Sequence, residues 1–192
     1  MVAAAPTSLE KLREAVRIFG PVMTEFYGQA ESPATICVKA PWDYLREDGS
    51  VDERRLHSVG RPGVWNMVAI LDDDGKDVAR GTPGEICVRG PIVTPGYYKN
   101  PEETASRRRG GWHLTRDIGV MDNDGYVTIV DRKSDMIITG GFTVFPNEIE
   151  QVLSSHAAVQ DCSVIGVPDE KWGEAVTAFI QLKPGLKARL MR

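Results

Sequence analysis

At 192 residues and a net charge of −4, the chain has room for one domain or two small ones, and its acidic balance argues against a general nucleic-acid binder. No apolar run approaches the ~20 residues of a membrane helix, and the opening MVAAAPTS lacks the basic residues and long apolar run of a signal peptide. Cys37, Cys87 and Cys162 have no metal-knuckle or redox spacing and each sits in a β-branched stretch, which reads as reduced core side chains in a cytoplasmic protein.

The apolar period Leu9, Leu12, Val16, Phe19 predicts a helix over 8–19, stopped by Gly20-Pro21. Strands are expected over 22–26, running into Tyr27-Gly28, and over 35–38. Short strands at 68–71 and 85–88, separated by turn residues such as Asp72-Asp73-Asp74-Gly75, point to a small barrel or sandwich. Asn100-Pro101-Glu102-Glu103 starts a brief helix, with proline in the first turn and acids at the positive end of the dipole.

A hairpin follows around Asn123-Asp124-Gly125. If Asp124-Gly125 is a two-residue turn, Asn123 pairs with Tyr126, and Ile118 and Val120 share a face with Val127 and Ile129. The same register sets Asp117 opposite Arg132, with Cβ atoms ~5 Å apart. The charged run 131–135 then marks a solvated joint between packed units. Beyond it the pattern predicts a strand over 136–138, a Gly140-Gly141 turn, a strand over 142–145 and a helix over 148–155. Asn147 and Glu150 have capping-box spacing for that helix. Strands over 162–167 and 175–182 complete a small α+β lobe, and a basic tail ends the chain.

Neither a P-loop, a nucleophile elbow, a Cys/His pair nor an HExxH helix is present, and His57, His113 and His156 have no zinc-site spacing. Two places remain for chemistry. Asp117 beside Arg132 is suited to a vicinal diol, the carboxylate accepting from both hydroxyls and the guanidinium fixing its orientation; the plainer reading is a cross-strand salt bridge worth little. Tyr27 before Gly28 is suited to stacking a base, or is simply a turn.

Several motifs, in order, resemble the adenylate-forming, acyl-activating family of acyl-CoA synthetases, peptide-synthetase adenylation domains and luciferases. They are AAAP (3–6), FYGQAE (26–31), GEICVRGPIVTPGYYKNPEET (84–104), GWHLTRD (111–117) and DRKSDMIITGGFTVFPNEIE (131–150). The resemblance implies an α+β fold. Residues 1–131 would be the end of the large AMP-binding domain with a β-barrel-like subdomain, 132–135 a hinge, and 136–192 an incomplete terminal lobe. It implies that ATP or AMP is bound by Ala4, Ala5 and Pro6, by Tyr27 stacking on adenine with Gly28 and Gln29, and by Asp117 and Arg132 on the ribose. Glu31 would hold magnesium, Gly140, Gly141 and Trp172 would line the CoA path, and the lobe would swing about Ser134.

Three positions depart from the family pattern. Ala30 replaces a threonine that touches phosphate, Arg116 replaces a glycine, and Ser134 replaces the usual Asp or Lys. The family's phosphate loop and catalytic lysine have no counterpart among these residues, so no catalytic residue is assigned. The expected parent reaction joins a small-molecule carboxylate to CoA through an acyl-adenylate, and the 192-residue chain alone is expected to be inactive. A non-catalytic truncated product or interaction module, and an adenylation domain serving a carrier protein, are the competing readings. Open strand edges and unpartnered apolar faces lead to an expectation of self-association, as a homodimer or larger.

Overall fold

The structure, a computed structural model, describes residues 1–3 and 9–186. The chain divides into two compact units, Met1–Ile129 and Val130–Arg192, and its architecture is α+β.

In the first unit, helix α1 (Leu9–Phe19) buries Leu12 and Val16 against Tyr44 and Leu56, the four-residue spacing that sets two side chains on one face. Strands β1 (Val2–Ala3), β2 (Glu25–Gln29), β3 (Ser32–Lys39) and β4 (Arg61–Pro62) form a four-stranded sheet in that order, β1 parallel to β2 and the others antiparallel. Between β3 and β4 lies a short helix, α2 (Glu53–Leu56), capped by the Asp52 carboxylate, which accepts from the amides of Arg54 and Arg55.

The second sheet holds β5 (Met67–Leu71), β6 (Gly84–Arg89), β7 (Arg108–Arg109), β8 (Trp112–Met121) and β9 (Val127–Arg132). Its order is β5-β6-β8-β7, with β9 also on β8. Helix α3 (Pro101–Ser106) begins as its sequence requires: the Asn100 side chain accepts from the Glu103 amide and Pro101 takes the first position. Tyr27, Ile36 and Cys37 of the first sheet meet Ile70, Ile86, Val88, Met121 and Val127 of the second in one core.

The β8–β9 hairpin differs from expectation. The Asp122 amide donates to the Tyr126 carbonyl at 2.9 Å and the Gly125 amide to the Asp122 carbonyl at 3.1 Å, with Gly125 at φ +83°. The loop is therefore three residues, a turn closed by a left-handed glycine, and Asp122 rather than Asn123 faces Tyr126. Met121 joins Val127 and Ile129 in the core, and the expected two-residue turn at Asp124-Gly125 does not form. The Asp122 carboxylate accounts for the choice, since it accepts from the amides of both Asp124 and Tyr126.

Lys39 is 0% exposed. Its Nζ lies 2.7 Å from Glu25 Oε2 and donates to the carbonyls of Leu56 (3.1 Å) and Ser58 (2.6 Å). Burial pushes the ammonium below its usual range while Glu25 opposes the shift. Nearby, Gly60 at φ +92° passes so close to β3 that a Cβ would lie 2.0 Å from the Val38 carbonyl oxygen.

In the second unit, β10 (Ile137–Thr139), β11 (Phe142–Val144), β12 (Val159–Asp169) and β13 (Gly173–Leu182) form an antiparallel sheet ordered β11-β10-β13-β12. Thr139 pairs with Phe142, leaving Gly140 (φ +56°) and Gly141 (φ +82°) as a two-residue turn that needs positive φ at both positions. Helix α4 (Pro146–Ser154) packs on β12. Its expected capping box does not form. Pro146 fixes the first helical residue, so Asn147 lies inside the helix; its amide donates to the Asp131 carboxylate at 2.9 Å and its side-chain amide to the Val130 carbonyl. Glu150 turns to β12 and accepts from the Val164 amide at 2.7 Å. Among the described residues no helix is long and apolar enough to cross a membrane.

Replacing Lys39 by Ala leaves Glu25 and two carbonyls without their buried donor. Loss of one partner from a buried pair costs about 3–5 kcal/mol, so Lys39→Ala should lower the unfolding free energy from urea titration by that amount, and a loss under ~1 kcal/mol would show that water reaches the pair.

Candidate functional site

The motif 26–31 forms the end of β2 and its turn into β3: Gln29 pairs with Ser32, so Ala30 and Glu31 occupy the turn. Opposite it, β8 carries a bulge. Its pairing with β6 jumps from Glu85↔Ile118 to Cys87↔Leu114, leaving Thr115, Arg116 and Asp117 against Ile86 alone. Thr115 Oγ1 donates to the Ile86 carbonyl at 2.7 Å and accepts from the Asp117 amide at 3.1 Å, and the Arg116 amide donates to Glu85 Oε1 at 3.0 Å. Bulges of this kind re-aim side chains.

Here the re-aimed group is Asp117, 7% exposed. The Tyr27 hydroxyl donates to its Oδ2 at 2.6 Å and the Gln29 side-chain amide to the same oxygen at 3.0 Å; Gln29 also donates to the Thr115 carbonyl at 2.9 Å. Burial, then the Asp117 charge, push the Tyr27 hydroxyl well above its ordinary range, which keeps its proton in place for donation. The Tyr27 ring is 8% exposed and belongs to the core between the sheets. The side chain expected to offer a flat face to a base is instead a mid-strand core residue whose hydroxyl orients Asp117.

Glu31 accepts from the Tyr97 hydroxyl. That bond holds its carboxyl below the usual range, against burial, with smaller help from His113 and Arg107. His113 is 1% exposed, its Nε2 has no hydrogen-bond partner among the described residues, and burial lowers its basicity. Glu103 links two cations: Arg107 Nε at 2.7 Å and an Arg116 terminal nitrogen at 3.7 Å. Arg116 has φ +63°, a backbone costing about 1–2 kcal/mol for a residue with a Cβ.

The structure thus brings Tyr27, Gln29 and Asp117 together, with Gly28 exposed between the first two, and sets Glu31 two residues on. The expected pocket residues Ala4, Ala5 and Pro6 lie outside the described residues. In the second unit Arg132 is exposed and its amide donates to Asp131 Oδ1 at 2.8 Å; Ser134 donates to Asp135 Oδ1 at 2.8 Å. The Gly140 amide donates to the Trp172 carbonyl at 2.8 Å, and a Cβ on Gly140 would lie 2.8 Å from the indole. Trp172 is 51% exposed, with Lys171 Nζ 4.7 Å from its ring centroid. Gly141 has open space around its Cα. Tyr97 had no local signal, since it acts on Glu31, 66 residues away; Glu103 had one, the i,i+4 spacing to Arg107.

Tyr27→Phe removes a side-chain donor to a buried carboxylate. A hydrogen bond to a charged group is worth about 1.5–3 kcal/mol; the urea midpoint should fall accordingly at constant slope, and an unchanged midpoint would show that Asp117 does not depend on this hydroxyl.

Known proteins resemble the chain in sequence and in fold. The family profile "AMP-binding enzyme" matches residues 1–98 and "AMP-binding enzyme C-terminal domain" matches 148–192. The medium/long-chain-fatty-acid–CoA ligase FadD8 of Mycobacterium tuberculosis is 49% identical over 173 residues, 90% of this chain and 29% of that protein. The amide bond synthetase McbA of Marinactinospora thermotolerans superposes with a TM-score of 0.85 at 35% identity, over 97% of this chain and 37% of that one. The o-succinylbenzoate CoA synthetase MenE of Bacillus subtilis, in complex with the acyl-adenylate intermediate OSB-AMP, superposes with a TM-score of 0.84 at 32% identity, over 96% and 36%. The chain spans about a third of the length of these relatives. With the first profile matching residues 1–98 and the second 148–192, the chain belongs to the AMP-binding enzyme family.

Proposed function

We propose that the first unit carries the ribose side of an adenylate pocket, and that the whole protein is an ATP-dependent ligase joining a carboxylic acid of the fatty-acid class to CoA through an acyl-adenylate. Asp117 carries this reading. A buried carboxylate whose orientation is set by Tyr27 and Gln29 is a preorganised acceptor for a vicinal diol. Arg132 is proposed as its partner on the ribose, Gly28 as a backbone wall, and Ala4, Ala5 and Pro6 as the adenine side. The fatty-acid class rests on the likeness to FadD8, a fatty-acid–CoA ligase.

Magnesium fits Glu31. No cluster of three or more His, Cys, Asp or Glu that could hold a metal occurs among the described residues, but magnesium is commonly held by one or two carboxylates together with substrate phosphates. The Tyr97 bond favours the charged form of Glu31 that such binding needs. Bound there, the ion would neutralise charge on the phosphates.

For CoA, the half-exposed Trp172 indole packed on Gly140, with Gly141 beside it, offers an apolar wall with close backbone approach. Ser134 is proposed as the position about which the terminal lobe turns, and a cytoplasmic location fits three free cysteines.

Asp117→Ala should weaken AMP binding, measured by calorimetry on the full chain, at least ~10-fold, the loss of one charged hydrogen bond. Asp117→Asn keeps the shape and separates this loss from unfolding; AMP affinity unchanged in both variants would remove Asp117 from the site. Self-association belongs to the same reading, since Phe142, Val152, Phe179 and Ile180 are all exposed on the second unit. Light scattering should show species larger than a monomer at micromolar concentration, and a monomer throughout would end that expectation.

A further inference from the structure

The site so far assembled is acidic. Asp117 and Glu31 both bring carboxylates, and Ala30, in the turn beside Glu31, brings no side-chain donor. A nucleotide placed there sets its phosphates against like charge, so a cation is needed close by. Arg107 and Arg116 meet that need. They share Glu103, Arg107 through a tight 2.7 Å contact and Arg116 through a loose one of 3.7 Å. Arg107 also faces Glu31, whereas Arg116 is held by the loose Glu103 contact, with its side chain 49% exposed.

The backbone supplies an independent observation. Arg116 sits at φ +63°, where glycine is unstrained and a residue with a Cβ is not. The bulge does not need this side chain. It is held by the Arg116 amide on Glu85, by Thr115 on the Ile86 carbonyl and by the Asp117 amide on Thr115. An exposed ion pair at 3.7 Å is weak and does not offset the strain.

We propose that Arg116 recognises the phosphate chain of the nucleotide whose ribose Asp117 holds, its guanidinium leaving Glu103 for the phosphates and supplying the donor that position 30 lacks. The inference rests on the nucleotide reading of the site and adds to it a residue that sets preference for phosphorylated ligands. Arginine suits the task because its planar fork of donors matches phosphate oxygens.

The test is calorimetry on the full chain with adenosine, AMP and ATP, in magnesium-free buffer at two salt concentrations. Arg116→Gly and Arg116→Asn are compared with the parent, because both residues tolerate left-handed backbone and neither is charged. The parent is expected to bind ATP more tightly than AMP and AMP more tightly than adenosine, with the advantage shrinking at high salt. In both variants the ATP-to-adenosine preference should fall about tenfold or more, adenosine affinity should stay within about twofold, and the melting temperature of Arg116→Gly should equal or exceed the parent's. A preference unchanged in both variants, or a parent that binds adenosine as well as ATP, overturns the role of Arg116 and leaves the nucleotide reading standing. A parent that binds none of the three overturns the nucleotide reading and this inference with it.

Discussion

A carboxylate taken out of water between two sheets must be met by donors held in place, and the first unit is organised around that requirement at Asp117. Desolvating such a charge costs several kcal/mol unless hydrogen bonds replace the lost water. Tyr27 and Gln29 of one sheet supply them, and the bulge in β8 brings Asp117 to them from the other. The polar contact therefore sets the register between the two sheets at the point where the apolar core would tolerate sliding. Lys39 repeats the logic with opposite sign: a fully buried ammonium ties β3 to Glu25 and to the segment around α2. Both are polar joints inside a hydrophobic unit, and each specifies one arrangement of neighbours where Val and Ile side chains accept several.

Much of this was legible in the residues. The α3 start at Asn100-Pro101, the Gly140-Gly141 turn and the burial of Cys37 and Cys87 each depend on chemistry within a few positions of one another and agree with the structure, whereas Cys162, expected in the core with them, is only partly buried. The family resemblance, resting on motifs spread over most of the chain, matches the two family profiles. The errors share a different cause. Asn123-Asp124-Gly125 is compatible with two turns, and the Asp122 side chain, outside the presumed pair, decides between them. Asn147 and Glu150 have the spacing of a cap, yet Asp131 and Val164, 16 and 14 positions away, claim their bonds. Tyr27 reads as the end of a strand until β3 and the second sheet close over its ring.

The departures from the family pattern fall unevenly. Ser134 is a surface residue bonded to its neighbour, and a change there disturbs no packing. Arg116 is different, because the backbone conformation it must adopt is one that glycine holds without strain. A local rule broken beside a preorganised polar group is where sequence and function are expected to disagree.

The placement of the thiols gives each unit its own clock. Cys37 and Cys87 are fully buried in the first unit, Cys37 within the core where the two sheets meet, whereas Cys162 in the second unit is partly accessible. Burial pushes the Cys37 thiol well above its ordinary range, so in the closed state it offers almost no thiolate to an alkylating reagent. Alkylation at Cys37 thus waits for the sheets to part, while Cys162 reacts from the folded lobe; the ratio of the two rates measures how rarely the core between the sheets opens.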